Sequence, residues 1–335
     1  MPHPGRQRAN HEEAGISIGE LGEFALIAAM TARMPQAPGT LVGIGDDAAV
    51  WPAGGPLVVA STDLLVEGRH FRRDWSGPAD VGAKAAAQNL ADLAAMGAQP
   101  RALLVGMAAP PDLPAAWALD LASGLAQEAG AAGASVVGGD LSQASQIVLA
   151  VTALGTMAGA APVTRSGAKP GDLVAVAGSL GLSAAGLALL AAGLAERDDA
   201  AAAAVAAHRR PRPPYKAGPQ AASYGANSMI DISDGLVQDL GHIATASGTG
   251  IDIDSERLAA APALLAAARA LDLDPAAAAL DWMLAGGEDH ALAATFPPGV
   301  SPPPEWAVIG RVREGNGIRV DEKTYRGITG WKHFS

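Results

Sequence analysis

The chain has 335 residues, and because a domain commonly spans ~100–200 residues, two packed domains are expected. Its 23 Lys and Arg residues against 34 Asp and Glu residues give a formal net charge of −11, which disfavours nucleic acid or an anionic membrane as the partner. The sequence contains no Cys, which excludes disulfides, thiolate metal sites and a Cys nucleophile, and such a chain can fold in a reducing cytoplasm.

The first residues, Met1–Glu13, are rich in Pro, Arg, His and Glu without an apolar segment, so the sequence predicts a disordered tail over 1–18 and no signal peptide. Short strands that alternate with Ala-rich helices predict a first α/β domain over 19–160. Its predicted helices are Glu20–Ala32, Val81–Met96 and Ala115–Ala131, and its predicted strands are Leu57–Ser61, Ala102–Met107, Ser135–Val137 and Ile147–Leu154.

A run of Gly, Ala and Pro near Met157–Thr164 predicts a domain boundary, with a second α/β domain over 161–335. Leu173–Ala195 has no charge, but its repeated Gly residues favour a strand, a turn and a buried helix over a membrane span. HRRPRPPY (208–215) predicts an extended connector. The predicted strands are Leu173–Ala177, Ser228–Ile232, Gly250–Ile253, His290–Thr295, Trp306–Val312 and Gly317–Val320, and the predicted helices are Leu182–Leu194, Gly235–Ser247 and Pro262–Leu271.

Asp residues follow predicted apolar strands or turns at four places, each flanked by small residues. Ligand crevices form at strand ends in open sheets, and small neighbours let the backbone approach a ligand. Carboxylates that converge there would suit Mg²⁺, which takes one or two carboxylates and completes its shell with water and substrate phosphates. The residues concerned are Asp46, Asp47, Asp63, Asp140, Asp231 and Asp234.

Each of these carboxylates alone is explained better by an N-cap or an Asx turn than by a metal site. Together they favour a metal site, because caps do not require adjacent or nearly adjacent Asp residues, and packed like charges are costly unless a cation offsets them. The neighbouring hydroxyls that would suit the same ion or its phosphates are those of Ser61, Thr62 and Ser233.

The predicted helix Val81–Met96 carries a polar stripe on an otherwise Ala- and Leu-rich surface. Lys84, Gln88 and Asp92 recur every four residues, and Asp80 is the predicted N-cap. One interpretation is a solvated helix face. The other is that Asp92 reaches the metal cluster and Lys84 neutralises charge beside it.

Known phosphate-binding loops are missing from the sequence. It contains neither G-x-x-x-x-G-K-[ST] nor a G-x-G-x-x-G after a strand, so any bound nucleotide must depend on metal bridges. The seven His residues lack zinc spacing; His70 is placed near the site and His242 is interpreted as structural. Two further candidates are Arg165, although a loop Arg is usually at the surface, and Glu288 in an acidic pair after two Gly residues.

Eight motifs occur in order: GIGDDAAV (43–50), STDLLVEGRHF (61–71), NLADLAAMGA (89–98), VVGGD (136–140), TRSGAKPGD (164–172), IDISDGLVQDLGHI (230–243), AGGEDHAL (285–292) and GWKHF (330–334). On these motifs the chain resembles the thiamine-monophosphate kinase family, which belongs to the aminoimidazole ribonucleotide synthetase superfamily. The resemblance covers nearly the whole chain from Gly22 onward. It implies an α/β (α+β) fold of two domains, with mixed sheets flanked by helices.

The resemblance implies phosphoryl transfer from ATP to thiamine monophosphate with several Mg²⁺ ions, in a cytoplasmic homodimer whose domain 19–160 binds ATP and forms the dimer. It assigns the metal to Asp47, Ser61, Thr62, Asp63, Asp92, Asp140, Asp231 and Asp234, of which Asp63, Asp92, Asp140 and Asp234 are the expected catalytic residues. It assigns the nucleotide to Gly139, Asp140, Arg165 and Ser233, and the thiamine portion to His70, Glu288 and Trp331.

Two classes of alternative stay open at this point. Within the superfamily, selenophosphate synthetase and the hydrogenase-maturation dehydratase rely on Cys or selenocysteine, which argues against both, and aminoimidazole ribonucleotide synthetase would not account for the GWKHF ending. From a different class, a non-catalytic protein could bind a divalent metal or a nucleotide through the same carboxylates.

Overall fold

The computed structural model describes residues 41–42, 46–53, 55, 57–157, 161–195, 199–327 and 330. The predicted tail, the predicted helix Glu20–Ala32 and Trp331 lie outside these residues. Within the described part, no helix combines the length and the apolar character that crossing a bilayer requires.

The first sheet has the strand order β1-β2-β5-β3-β4, in which the β3–β4 pair is parallel and the other pairs are antiparallel. Helix α1 lies against β2 and β5, and α2 lies against β4. Buried residues alternate with half-buried ones along β5, so helices cover one face of the sheet while the other stays open. The elements are β1 (Ala49–Pro52), β2 (Leu57–Val66), α1 (Pro78–Ala95), β3 (Gln99–Ala109), α2 (Ala115–Ala131), β4 (Ser135–Gln143) and β5 (Val148–Thr156).

The second sheet has the order β12-β11-β8-β10-β6-β9-β7, with β8 and β11 the parallel pair. Every residue of β7 and β9 is buried, so this end of the sheet is covered on both faces. The elements are β6 (Leu173–Ala177), α3 (Leu182–Ala191), α4 (Asp199–Arg209), α5 (Ala217–Ser223), β7 (Ser228–Ile232), α6 (Leu236–Ser247), β8 (Gly250–Ile253), α7 (Pro262–Ala270), α8 (Pro275–Ala285), β9 (Ala291–Phe296), β10 (Trp306–Arg313), β11 (Gly317–Val320) and β12 (Lys323–Thr324).

Helix α1 packs on both sheets. Leu90 and Leu93 belong to the core under the first sheet, whereas Ala94 and Ala95 belong to a cluster with β6, β7 and β9 of the second. Small residues allow the close approach, because a Cβ at Gly218 of α5 would lie 1.8 Å from the Ala94 carbonyl oxygen. Fourteen of the 18 residues of α1 are buried, so the solvated-face interpretation of this helix is wrong.

Two strands run further than the apolar pattern predicted. Asp63 lies inside β2, and Asp140 lies inside β4, so the prediction that they follow their strands is wrong. The cause is strand pairing: Asp63 lies opposite Val151 and Asp140 opposite Gly106, and the hydrogen bonds between strands join main-chain groups, whatever the side chain. The pattern of apolar residues shows which positions are buried, but it does not show where a strand ends.

Helix starts and short elements also depart from the sequence prediction. α1 begins at Pro78 with Gly77 as N-cap, so Asp80 lies in the first turn rather than at the cap. Proline at the first helical position explains this earlier start, because its ring fixes φ and its missing N–H needs no partner there. The elements that were not predicted are α5, α8, β1 and β12, and α4 was expected only as the end of a surface helix.

Helices α1 and α2 cross at two glycines. A Cβ at Gly82 would lie 2.1 Å from the Leu121 carbonyl oxygen, and one at Gly124 would lie 2.0 Å from the Ala79 carbonyl oxygen. No real Cβ tolerates such a distance, so both positions require Gly for packing.

We expect Gly124→Ala to lower the free energy of unfolding by about 1–3 kcal/mol, because the added methyl forces the two helices apart. Gly130→Ala on the same helix is the matched control, since a Cβ there meets nothing within 4 Å. It should raise stability by up to about 1 kcal/mol through helix propensity. Urea denaturation measures both, and equal effects of the two variants would contradict the packing argument.

Candidate active site

Three carboxylates from separate parts of the chain meet beside α1. Asp47 precedes β1, Asp92 lies in the last turns of α1, and Asp231 lies on β7. One oxygen atom of each lies within 4.8 Å of the others. Asp47 and Asp231 are buried and Asp92 is half-buried, so the cluster lies largely inside the protein and is not a solvated surface.

Each carboxylate of this cluster is held by a neighbouring group. The Ser61 hydroxyl donates to Asp92 Oδ2 at 2.5 Å, and His290 Nδ1 lies 3.1 Å from Asp231 Oδ2. The Arg165 guanidinium donates to Asp47 Oδ1 through both Nε and Nη2. Arg165, assigned to the nucleotide by the resemblance, therefore lies at the cluster and not on the open surface.

The three carboxylates of the cluster lie close enough to repel one another, which favours a bound cation. Burial, together with the charges of Asp63, Asp231 and Asp47, raises the pKa of Asp92 well above its usual range. Burial also raises the pKa of Asp47 to about 8, although the Arg165 guanidinium opposes the shift. Like charges at this density are stabilised either by protons or by a metal ion.

The donor set fits Mg²⁺. Asp47 Oδ2 is buried and receives no hydrogen bond from any described residue, so among these residues one oxygen atom of the cluster has no partner. All three donors are carboxylate oxygens, which suit a hard divalent ion rather than a soft one. Asp47, Asp92 and Asp231 would hold the ion, which would neutralise phosphate oxygens brought to it.

Asp63 lies next to this cluster, since its charge raises the pKa of Asp92. Its backbone N–H donates to Asn89 Oδ1 at 2.9 Å, and Asn89 Nδ2 donates to the Ala85 carbonyl. Asn89 is fully buried, so it ties β2 to α1 at the level of the site.

The turn between β7 and α6 places Ser233 and Asp234 at the rim. The Asp239 carboxylate accepts hydrogen bonds from the backbone N–H groups of Asp234 and Gly235 at 3.1 and 3.0 Å. Gln238 Nε2 donates to Asp234 Oδ2 at 3.0 Å. This turn is therefore held by its own helix, and Asp239 was not identified from the sequence because a helical Asp gave no signal of its own.

The substrate candidates His70 and Glu288 lie on either side of Lys84. Lys84 Nζ donates to the His70 carbonyl at 3.1 Å and to Glu288 Oε2 at 3.0 Å. Burial alone would raise the pKa of Glu288, but the charge of Lys84 and its hydrogen bond chiefly outweigh burial and lower that pKa. Glu288 is therefore an ionised acceptor.

Three expected site residues do not join the cluster within the described part of one chain. Thr62 points to the open face of the first sheet, where its hydroxyl donates to the Val151 carbonyl at 2.9 Å. Gly139 and Asp140 lie on the edge strand β4, which is exposed along its whole length. A Cβ at Gly139 would lie 2.0 Å from the Val105 carbonyl oxygen, so strand packing alone accounts for that Gly.

Comparisons with known proteins identify the family to which the chain belongs. Models of AIR synthase related proteins match the chain twice, the N-terminal domain over 45–157 and the C-terminal domain over 169–323. A thiamine-monophosphate kinase of Mycobacterium tuberculosis is 49% identical over 321 residues, covering 95% of this chain and 93% of its own length. The thiamine-monophosphate kinase of Escherichia coli K12 is 41% identical over 281 residues, covering 82% and 83%.

A solved structure described as AaThiL complexed with AMPPCP and TMP has a TM-score of 0.87 and 34% sequence identity. The match covers 96% of this chain and 99% of that one. The likeness therefore extends over both sheets and not over one domain alone.

We expect the metal-free protein to lose stability as pH rises from about 4 to about 8, relative to Asp47→Asn. The folded pKa of Asp47 lies above its unfolded value of 3.8, so the folded protein holds a proton that the unfolded chain releases in this range. Mg²⁺ should restore the stability of the parent protein at pH 8 more than that of the variant. Thermal unfolding at several pH values measures this, and parallel curves for the two proteins would refute the assignment of Asp47.

Proposed function

Because the chain belongs to the thiamine-monophosphate kinase family, we propose that it transfers the γ-phosphoryl group of ATP to thiamine monophosphate, giving thiamine diphosphate and ADP. The observation that carries the proposal is the buried cluster of Asp47, Asp92 and Asp231 with one unpartnered oxygen. Such a cluster, when it holds metal, suits two anionic reactants. We place the reaction in the cytoplasm, with domains 19–160 and 161–335 contributing to one site.

The chemistry needs no general base from the protein. The second pKa of a phosphate monoester is ~6, so the acceptor oxygen of thiamine monophosphate is ionised at neutral pH. What the chain must supply is alignment and charge cancellation. We assign Mg²⁺ binding to the carboxylate cluster with Asp63 and Asp234 beside it, and contact with the ATP phosphates to Arg165 and Ser233.

The thiamine portion is assigned to His70, Glu288 and Trp331. The Val66 N–H donates to His70 Nδ1 at 2.9 Å, so Nδ1 is an acceptor and Nε2 is the ring nitrogen that bears a proton. Glu288 offers an acceptor. A donor and an acceptor held on the two sides of Lys84 suit a heteroaromatic substrate with both kinds of group, and Trp331 would add an aromatic face for the thiazolium cation.

Incubation of the purified protein with ATP, Mg²⁺ and thiamine monophosphate should yield thiamine diphosphate and ADP in equal amounts. Asp231→Asn should lower kcat at least a hundredfold, because it removes a metal-ligating charge. Asp74→Asn is the matched control, since Asp74 is exposed and pairs with Arg72, and it should leave kcat unchanged. Binding of ATP without turnover of thiamine monophosphate would favour the non-catalytic alternative instead.

We also propose that the protein acts as a homodimer formed through the first sheet. β4 is an exposed edge strand, and an open edge with apolar side chains is a surface that soluble proteins normally cover. Leu64, Leu104, Val137 and Leu141 stand exposed on this sheet, Leu141 at 80%. A second copy of the chain is the occupant that the next observation supports.

The sheet register argues that Asp140 serves the partner's site. Asp63 lies opposite Val151, Val151 opposite Val105, and Val105 opposite Gly139. Three inter-strand steps of ~4.8 Å therefore separate Asp63 from the neighbour of Asp140 by ~14 Å, which is too far for one metal cluster. If the Gly139–Asp140 pair binds ATP and metal, as the resemblance implies, it reaches the cluster of the other subunit.

Mixing two inactive variants tests this arrangement. Asp140→Asn and Asp231→Asn should each be inactive, but after subunit exchange half the dimers are mixed, and each holds one site with both native residues. About a quarter of the parent activity should then return. If activity stays absent although mass spectrometry shows mixed dimers, Asp140 acts within its own subunit; if Asp140→Asn alone is active, Asp140 is not required.

A further inference from the structure

Lys84 is a buried cation in the middle of the proposed thiamine subsite. Its side chain is only 3% exposed, which is unusual for Lys. A buried ammonium is stable only when it is paired with an opposite charge and hydrogen-bond acceptors. Its ammonium bridges two parts of the chain that are far apart in sequence, the His70 carbonyl at 3.1 Å and Glu288 Oε2 at 3.0 Å. Nothing in the phosphate chemistry of the metal cluster uses this group.

The backbone of Glu288 has a conformation that is unfavourable for a residue other than Gly. Its φ is +62°, a left-handed value that costs a non-Gly residue of order 1–3 kcal/mol. Its N–H donates to the Ser233 carbonyl at 2.7 Å, and the following Asp289 carboxylate accepts from the backbone N–H groups of Gly181 and Ser183. The strained segment is thus fixed from three sides, which aims the Glu288 side chain.

The contacts of Glu288 fall on one oxygen atom. Lys84 Nζ lies 3.0 Å and His208 Nδ1 lies 3.5 Å from Oε2, whereas Oε1 receives no hydrogen bond from the described residues. Burial lowers the pKa of His208 to about 4, so that ring is neutral and Lys84 supplies the positive charge. The Glu288 side chain is 32% exposed, so Oε1 is open to a ligand.

We infer that Lys84 is a positioning residue for thiamine monophosphate: its ammonium holds Glu288 Oε2, leaves Oε1 for the substrate, and fixes the His70 loop at a set distance from Glu288. This inference rests on the proposed function. Lys84 acts through these two groups and touches neither the reacting phosphates nor the metal cluster. It therefore governs affinity for the thiamine portion and not for ATP.

Lys84→Met retains the apolar stem and removes the ammonium. We expect it to raise the KM for thiamine monophosphate about tenfold or more, with the KM for ATP and kcat within about twofold of the parent. In a Glu288→Gln background the same change should raise the KM for thiamine monophosphate by a smaller factor than in the parent, because one of the two groups through which Lys84 acts is already altered. Lys216→Met, on an exposed Lys, is the matched control and should change nothing.

A second measurement does not depend on turnover. Binding of thiamine monophosphate in the presence of a non-hydrolysable ATP analogue, measured by calorimetry, should weaken by the same factor in Lys84→Met. If that variant does not fold, as circular dichroism would show, Lys84→Gln retains a donor without the charge and should give an intermediate loss.

Equal effects on ATP and thiamine monophosphate, or additive effects with Glu288→Gln, would overturn the positioning role. A parent protein that neither binds nor converts thiamine monophosphate would refute the proposed function itself. Normal conversion by the parent with an unchanged Lys84→Met would refute only the role of Lys84.

Discussion

The burial of α1 between the two sheets is the constraint on which the site depends. When a helix is covered on both sides, water cannot hydrogen-bond its polar side chains. A buried polar group without a partner lowers the stability of the fold. Asn89 is therefore paired with the Asp63 backbone, Asp92 with Ser61, and Lys84 with Glu288. These pairings join α1 to β2 on one side and to the loop before β9 on the other, so the packing of one helix sets the relative position of metal and substrate groups.

The acidic excess of the sequence acquires a specific meaning from this packing. A formal charge of −11 spread over a surface would mainly aid solubility. Here Asp47, Asp92 and Asp231 are concentrated where burial raises the pKa of Asp47 and Asp92, and Arg165 is the cation beside them. The repulsion between carboxylates is thus concentrated at this cluster. A divalent ion offsets that repulsion more effectively than a side chain with a single positive charge.

The sequence predicted the strands and helices that have strong periodicity, and α2, β6, β7, β8 and β11 agree to the residue. It could not predict which strands pair. Asp63 and Asp140 stand in similar local contexts, yet β2 is internal and β4 is an edge, so only one of them reaches the cluster in its own chain. The stripe of Lys84 and Asp92 was visible from helical spacing, but Lys84 meets Glu288, about 200 residues away, and Asp92 meets Asp231 on β7. Local patterns carry no such information.

The composition of α1 also affects how the chain emerges during synthesis. The helix and the first sheet are complete by residue 156, well before β6, β7 and β9 exist to cover the second side of the helix. Until then, Ala94 and Ala95 on that side of α1 are uncovered, and their small side chains expose little apolar area. Hydrophobic attraction scales with that area. The second side of α1 therefore adds little adhesive surface to the nascent first domain, whereas a Leu or Phe at the same positions would add more.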